Sequence, residues 1–290
     1  EDFYADDEMI ITISHMGYIK RTPLSEFRAQ NRGGVGAKGS NTREEDFIEY
    51  IYPASMHNYM LFFTQKGKCY WLKVYEIPEG SKSSKGRAIQ NMLNIDSDDK
   101  VNAFIRVKRL QDPEYNMSHN LLFCTRKGII KKTKLEAYSR PRQNGVNAIT
   151  IREDDQVIQV RLTTGDSQIV IANRHGRAIR FHESAVREMG RNATGVKGMT
   201  LDNDDDAVVG MICVNDPEKE TIMVVSEQGY GKRSLIEDYR ITNRGGKGVK
   251  TLNITDKTGY LVAIKCVTDE NDLVIINKSG ITLRMKVADV

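Results

Sequence analysis

The sequence predicts an all-β chain, a propeller-like array of six blades with four short antiparallel strands in each. Three observations predict it. A strand–turn–strand unit pivoting on a glycine recurs six times, and an apolar pair and a second glycine follow it at fixed distances. No stretch carries the sustained i, i+3, i+4, i+7 apolar spacing of a long helix.

The first element of each repeat is a run of β-branched or large apolar residues that ends in polar residues and a glycine. The six are MIITISHMG at Gly17, YMLFFTQKG at Gly67, NLLFCTRKG at Gly128, QIVIANRHG at Gly176, TIMVVSEQG at Gly229 and DLVIINKSG at Gly280. Such runs suit a pleated, half-buried surface, and the glycine supplies the positive φ of a tight hairpin. The second strand follows at once, as in YIKRT, KCYWLKV, IIKKTKL, RAIRFHE, YGKRSLI and ITLRMKV. Turn glycines are spaced by 50, 61, 48, 53 and 51 residues. One domain, 1–290, is therefore expected, with repeats at approximately 9–58, 59–119, 120–167, 168–220, 221–271 and an incomplete 272–290.

Seven and ten residues after the turn glycine stand Leu24/Phe27, Val74/Ile77, Leu135/Tyr138, Ile236/Tyr239 and Val287/Val290, with Glu183/Val186 as the polar exception. An i, i+3 apolar pair predicts one short helical turn that plugs the hairpin against its neighbour. A second glycine recurs at Gly36, Gly86, Gly145, Gly195 and Gly248, offset by 19, 19, 17, 19 and 19 residues. Each repeat returns through an apolar strand such as VNAITI or GMTLD, an acidic turn, and a last strand such as VIQVRLTT or AVVGMICV. The sixth repeat stops at Val290 before its second loop, so either the array ends inside blade six or N-terminal residues complete that blade by strand exchange.

Several function classes lose support. Ala29 to Gly39, AQNRGGVGAKG, is glycine-rich and basic, but Lys38 precedes Gly39 where a P-loop needs Gly-Lys-Ser/Thr. Gly34, Gly36 and Gly39 spell G-x-G-x-x-G, yet the continuation SNTREEDFIEYIYP opens no amphipathic helix and closes at Pro53. Cys69, Cys124, Cys213 and Cys266 lie far apart in apolar runs and read as buried thiols in a reducing cytosol. His15, His57, His119, His175 and His182 share no metal-ligand spacing, and no metal site or catalytic constellation is expected. Apolar runs are too short for a membrane helix, and the acidic start EDFYADDE is no signal peptide. A cytoplasmic chain, excised from something longer, is expected.

Net charge is only +4, but its distribution is uneven. The five windows 15–36, 65–86, 126–145, 174–195 and 227–248 hold 26 of the 43 cations and 9 of the 39 acids, or +17, which leaves −13 elsewhere. Acidic turns such as 96–99, 153–155 and 202–206 hold much of that remainder. Radial repeats would gather these windows into one basic face or rim and one acidic face. A basic band of this kind suits a wrapped duplex, which needs cations along a curved path and no base reading. Glycines in the same loops would let backbone N–H groups approach phosphates.

Gln30-Asn31-Arg32-Gly33-Gly34-Val35-Gly36 resembles the gyrase A box, Gln-Arg-Arg-Gly-Gly-Lys-Gly, of the C-terminal DNA-wrapping domain of the DNA gyrase A protein, in the type IIA topoisomerase family. Five of the seven positions match; Asn31 and Val35 depart, with Lys38 as a nearby cation. A second copy, Thr242-Asn243-Arg244-Gly245-Gly246-Lys247-Gly248, matches at five and departs at Thr242 and Asn243. The repeats extend the resemblance over essentially the whole chain.

The resemblance implies a six-bladed β-pinwheel, a disc or spiral of four-stranded blades that exchange strands. It implies a non-catalytic, sequence-independent module that bends double-stranded DNA around a basic rim for ATP-dependent negative supercoiling. The implied partners are the rest of the gyrase A polypeptide and the gyrase B polypeptide of the holoenzyme. ATP and magnesium would be used there, with no cofactor in this domain, in a cytoplasmic, nucleoid-associated and membrane-free enzyme. Beyond the box, Lys85, Arg87, Arg140, Arg142, Arg191, Lys197, Arg244, Gly245, Gly246, Lys247 and Gly248 are the expected phosphate contacts. A degenerate box is also a feature of the related polypeptide of topoisomerase IV, an enzyme that mainly decatenates. The box in the first repeat and the retained cations favour gyrase. A protein-binding propeller is the third reading, although it would expose apolar loops where these are Gly, Lys, Arg, Asn and Ser.

Overall fold

In a computed structural model the described residues are 4–29, 46–81, 83–268, 272–276 and 282–286. The first repeat is β1 (Glu8–Ser14), β2 (Tyr18–Pro23), the short helix α1 (Leu24–Ala29) and β3 (Ile48–Ser55). The second is β4 (Tyr59–Thr64), β5 (Lys68–Lys73), the two-residue β6 (Arg87–Ala88) and β7 (Val101–Val107). After α2 (Pro113–Ser118) the third runs β8 (Asn120–Thr125), β9 (Ile129–Lys134), β10 (Val146–Asn147) and β11 (Val157–Thr163). The fourth is β12 (Gln168–Asn173), β13 (Arg177–His182), β14 (Val196–Lys197) and β15 (Val208–Val214). The fifth is β16 (Thr221–Ser226), β17 (Gly231–Ser234), β18 (Val249–Lys250) and β19 (Leu261–Val267). A last hairpin pairs β20 (Asp272–Ile276) with β21 (Thr282–Lys286).

The chain is all-β, but the expected count of six blades is corrected to five. Four sheets have four strands, β3-β1-β2-β6, β10-β5-β4-β7, β11-β8-β9-β14 and β15-β12-β13-β18, and a fifth shows β17-β16-β19 among the described residues. β20 and β21 form a two-stranded pair with neither an inner nor an outer strand described beside it. A lone hairpin lacks the faces a blade needs to bury. The sequence counted hairpins, and a hairpin is only half of a blade.

Each blade exchanges a strand with its neighbour. β6, β10, β14 and β18 add to the hairpins of the preceding repeats, β2, β5, β9 and β13. The inner edge of every blade is the strand returning within its own repeat. All neighbours run antiparallel.

Burial follows from sandwiching each blade between two others. Successive side chains in a strand point to opposite faces. In β4, Met60 and Phe62 join Ile11, Ile13 and Ile19 in the seam to blade one, while Leu61 and Phe63 join Leu121 and Phe123 in the seam to blade three. The run MLFF is therefore buried at every residue, at about 1.5–3 kcal/mol for each large side chain. The predicted plugs are single 3₁₀ turns at Val74–Glu76, Leu135–Tyr138, Glu183–Ala185 and Ile236–Asp238. Val74, Ile77, Leu135, Tyr138, Val186, Ile236 and Tyr239 are buried in the seams. The polar exception is also buried. Glu183 accepts from Thr163 Oγ1 at 2.7 Å and from Gly165 and Ser167 N–H at 3.0 Å, with Lys132 Nζ at 4.0 Å. Phe27, Val287 and Val290, named with these plugs, lie outside the described side chains.

Candidate nucleic-acid interface

The outermost strand of a blade is the exchanged one, and its register places specific side chains on the outer edge. Arg87 pairs with Ile19, Lys197 with Ile129 and Lys250 with Arg177. All three cations are exposed and, among the described residues, none has a hydrogen-bond or ion-pair partner. Arg142 is also exposed and free among the described residues. Arg140 is exposed beside Glu136 at 3.1 Å, a solvated pair worth little. Lys85 lies half-exposed over the Tyr18 ring, 4.0 Å from its centroid. Lys250 was missed in the sequence; its signal was available, because it is placed on its strand as Lys197 is.

Other expected contacts are engaged elsewhere. Arg191 donates through Nη1 to Asn147 O at 3.3 Å. Arg244 donates through Nε to Ala185 O at 3.1 Å and through Nη1 to Lys197 O at 2.7 Å. Lys247 pairs with Asp202 at 2.6 Å. Gly245 N–H donates to Gly198 O, and Thr200 donates to the carbonyls of Gly245 and Gly246. The second box copy is thus a clasp between the loops of repeats four and five. Similar bonds join the other loops, Asn94 to Asn144 at 3.1 Å and Asn147 to Asn192 at 3.0 Å, so the second loops form a connected series along the outer edge. The first box, Gln30, Asn31, Arg32, Gly33, Gly34, Val35, Gly36 and Lys38, lies outside the described residues.

Close approach to protein backbone explains the second-loop glycines where they are described. A Cβ at Gly195 would stand 2.5 Å from Ile130 O, and one at Gly248 2.4 Å from Ala178 O. The loop presses on the preceding blade, and no side chain fits between.

Several hairpin cations reach backbone carbonyls of the next repeat. Lys20 Nζ donates to Ser81 O at 3.0 Å and Ser84 O at 2.7 Å, and Lys131 Nζ to Ala148 O at 2.7 Å and Arg191 O at 2.6 Å. One position further on, Arg21 Nε reaches Ile77 O at 2.7 Å and Trp71 Nε1 reaches Tyr138 O at 2.9 Å. Lys132 Nζ reaches Glu183 O at 3.2 Å, and Arg180 Nη1 reaches Ile236 O at 3.0 Å and Tyr239 O at 2.9 Å. Each of these second-position donors bonds to a carbonyl at the plug of the next repeat. Burial, with Arg191 second, brings the Lys131 ammonium down to about 7.

The acidic turns pack on the hairpin tips. Asp99, Asp155 and Asp206 accept the N–H groups of Lys66, Lys127 and His175. Beside them Lys66 pairs with Asp98, Lys127 Nζ reaches Glu153 O at 3.2 Å, and Arg174 Nη1 reaches Asp205 O at 3.0 Å. The tip cations Lys66, Lys127 and Arg174 are therefore locally compensated, whereas among the described residues the outer edge keeps Arg87, Arg142, Lys197 and Lys250 free.

This architecture has known counterparts. The family described as "DNA gyrase C-terminal domain, beta-propeller" matches residues 8–55, 58–108, 119–164, 167–215 and 220–268, one segment for each of the five blades. The chain belongs to the DNA gyrase C-terminal domain family. It is 46% identical over 290 residues to the DNA gyrase A protein of Staphylococcus aureus strain NCTC 8325 / PS 47, covering 100% of this chain and 32% of that protein. The chain thus spans about a third of the length of the curated relatives it matches. The C-terminal domain of DNA topoisomerase IV superposes with a TM-score of 0.79 at 26% identity, over 99% of this chain and 86% of that one. A DNA gyrase A C-terminal domain superposes at 0.76 and 24% identity, over 98% and 91%, a likeness of fold. Among the described residues no helix is long and apolar enough to cross a membrane.

Proposed function

We propose that this gyrase-family domain binds double-stranded DNA along its outer edge without sequence preference and bends the duplex around the blades. The observation that carries the reading is the contrast between cations. Lys20, Arg21, Lys131, Lys132 and Arg180 of the hairpins, with Arg191 and Arg244, are bonded to backbone carbonyls, whereas Arg87, Arg142, Lys197 and Lys250 stand free, among the described residues, on the outer loops and exchanged strands. Free cations on a convex edge can neutralise phosphates but offer no geometry for reading bases. Arg140 and Lys85, more weakly held, extend the same path.

The domain serves negative supercoiling as part of a gyrase A protein, with the remainder of that polypeptide and the gyrase B protein as partners. Cleavage, ATP and magnesium belong to those parts, and the enzyme works in the cytoplasm on the nucleoid. The 46% identity to a gyrase A protein along the whole chain, together with a box in the first repeat, favours gyrase over topoisomerase IV. Bending a duplex costs several kcal/mol over a few helical turns, so the wrap depends on every contact, the first-repeat box included. The test is two-dimensional electrophoresis of relaxed plasmid with holoenzyme and ATP. The unmodified enzyme is expected to supercoil, and deletion of residues 30–36 to abolish supercoiling while sparing relaxation, cleavage and decatenation. An unmodified enzyme that cannot supercoil sinks the gyrase reading; a deletion that supercoils normally sinks the role of the box.

A further inference from the structure

The outer edge continues past the exchanged strands toward the plugs. There the second loops touch it once more, in isolated bridges of Glu79 to Arg21, Glu188 to Lys132 and Ile241 to Arg180. Each of these three loop residues stands twelve positions after its own turn glycine, and Arg140 fills that place in repeat three. Glutamate and arginine are at home on a solvated edge. Isoleucine leaves apolar area in water there, and at 62% Ile241 is the most exposed large apolar side chain among the described residues.

Ile241 is fixed in that position through the residues around it. Thr242 N–H donates to Arg180 O at 2.9 Å, and Arg180 Nη1 donates to Tyr239 O at 2.9 Å and Ile236 O at 3.0 Å. Arg244 ties down the residues that follow, through Ala185 O and Lys197 O. Free cations stand near. Arg240, its neighbour in the chain, is exposed and has no hydrogen-bond or ion-pair partner among the described residues. Lys250, equally free, pairs with Arg177, three residues before Arg180 on β13, so it stands about 10 Å along the edge from Ile241.

We propose that Ile241 packs on the deoxyribose of double-stranded DNA bound at this edge and makes the domain prefer a DNA duplex to an RNA one. The contact rests on the outer-edge reading of duplex binding and adds to it an interaction that is not electrostatic. Sugars lie between the phosphates of a strand, so a side chain beside cations that grip phosphates meets sugar carbons. Deoxyribose carries only hydrogens at C2′, and an isoleucine covers it without stripping a polar group of water. Ribose carries a hydroxyl there, which the same contact would desolvate and leave without a partner. No base edge is involved, so the preference is for a sugar and not for a sequence.

The test is fluorescence anisotropy of the full chain with a labelled DNA duplex, and separately with the RNA duplex of the same sequence, over a series of salt concentrations. The unmodified chain is expected to favour DNA. Ile241→Ser should weaken DNA binding about tenfold, the order expected for one aliphatic side chain left in water, while leaving RNA binding and the salt slope unchanged. Ile241→Leu should retain the preference. Arg240→Gln should instead shallow the slope for DNA by about 0.9, as loss of one phosphate contact does. Ile241 is exposed, so the serine variant keeps its fold, and an unchanged urea midpoint checks this. An unmodified chain that binds neither duplex sinks the outer-edge reading and the sugar contact with it. Salt-dependent DNA binding that Ile241→Ser leaves as tight, or a variant that loses DNA and RNA affinity equally, overturns the sugar contact alone.

Discussion

Substitution of Gly128 tests whether the blades are joined through their turn glycines. Gly128 has φ +94°. A Cβ there would stand 2.4 Å from Met199 O, and that carbonyl would have to retreat by about 1 Å to reach ordinary contact. The retreat acts on the exchanged strand, because Gly128 O accepts from Gly198 N–H at 2.7 Å and Met199 N–H at 3.1 Å. Positive φ costs an L residue about 1–2 kcal/mol, and two weakened hydrogen bonds cost about 0.5–1.5 kcal/mol each. Gly128→Ala should therefore destabilise by about 2–5 kcal/mol, and Gly128→Val by more. Gly17 is the internal reference, with φ +89° and nothing within 4 Å of an added Cβ, so Gly17→Ala should cost only the dihedral term, about 1–2 kcal/mol. Urea denaturation measures the difference, and hydrogen exchange at the Gly198 and Met199 amides locates it. Equal destabilisation by the two substitutions, or unchanged exchange at those amides in Gly128→Ala, would refute the reasoning.

Arg87→Ala and Lys197→Ala should each shallow the slope of log K against log salt for duplex binding by about 0.9, measured by fluorescence anisotropy. Arg244→Ala should leave that slope unchanged while lowering the unfolding midpoint, because its guanidinium bonds to Ala185 O and Lys197 O. Lys131, held at about 7 when folded against about 10.4 when unfolded, binds fewer protons in the folded state between those values. Stability should therefore rise as pH increases from about 7 to about 10, and Lys131→Met should flatten that rise in urea titrations at successive pH values. Glu183→Ala leaves Lys132 without its buried partner and should cost about 3–5 kcal/mol, much of it regained in Lys132→Met/Glu183→Leu, as a double-mutant cycle in urea would measure.

Much of the fold was legible because the repeat is written in residues that have one physical use. Gly128 and its equivalents mark turns, Leu135 and Tyr138 mark a plug, and the fully apolar MLFF run announces a strand buried on both faces. The blade count was not legible. A hairpin motif such as DLVIINKSG reads the same whether or not an inner and an outer strand complete it. The role of Glu183 was equally hidden, since its donors Thr163, Gly165 and Ser167 belong to another stretch of sequence brought there by the fold. At the outer edge Arg87, Arg142 and Lys197 were readable as exposed cations. The commitments of Arg191 and Arg244 to carbonyls were not, because a loop cation on its way to a backbone acceptor has the same spelling as one waiting for a phosphate.

That ambiguity has a physical origin in the exchange of strands. Each blade must be tied to the plug and the loop of the next repeat, and those segments present carbonyl oxygens that their own strands leave unused. Lysine and arginine are long enough to cross the seam and bring several donors each, so they recur at the two hairpin positions filled by Lys20 and Arg21 and by Lys131 and Lys132. Blade two uses Trp71 at the second of these positions, an uncharged donor to Tyr138 O at 2.9 Å, so hydrogen-bond donation is the structural requirement there and positive charge is not. Part of the basic excess of the repeat windows therefore consists of donors such as Lys20, Arg21, Lys131, Lys132 and Arg180 that hold the blades together. Donors committed to carbonyls release few counterions, so the salt dependence of the proposed duplex binding should be set by the exposed, unengaged cations and be shallower than the full basic excess would give.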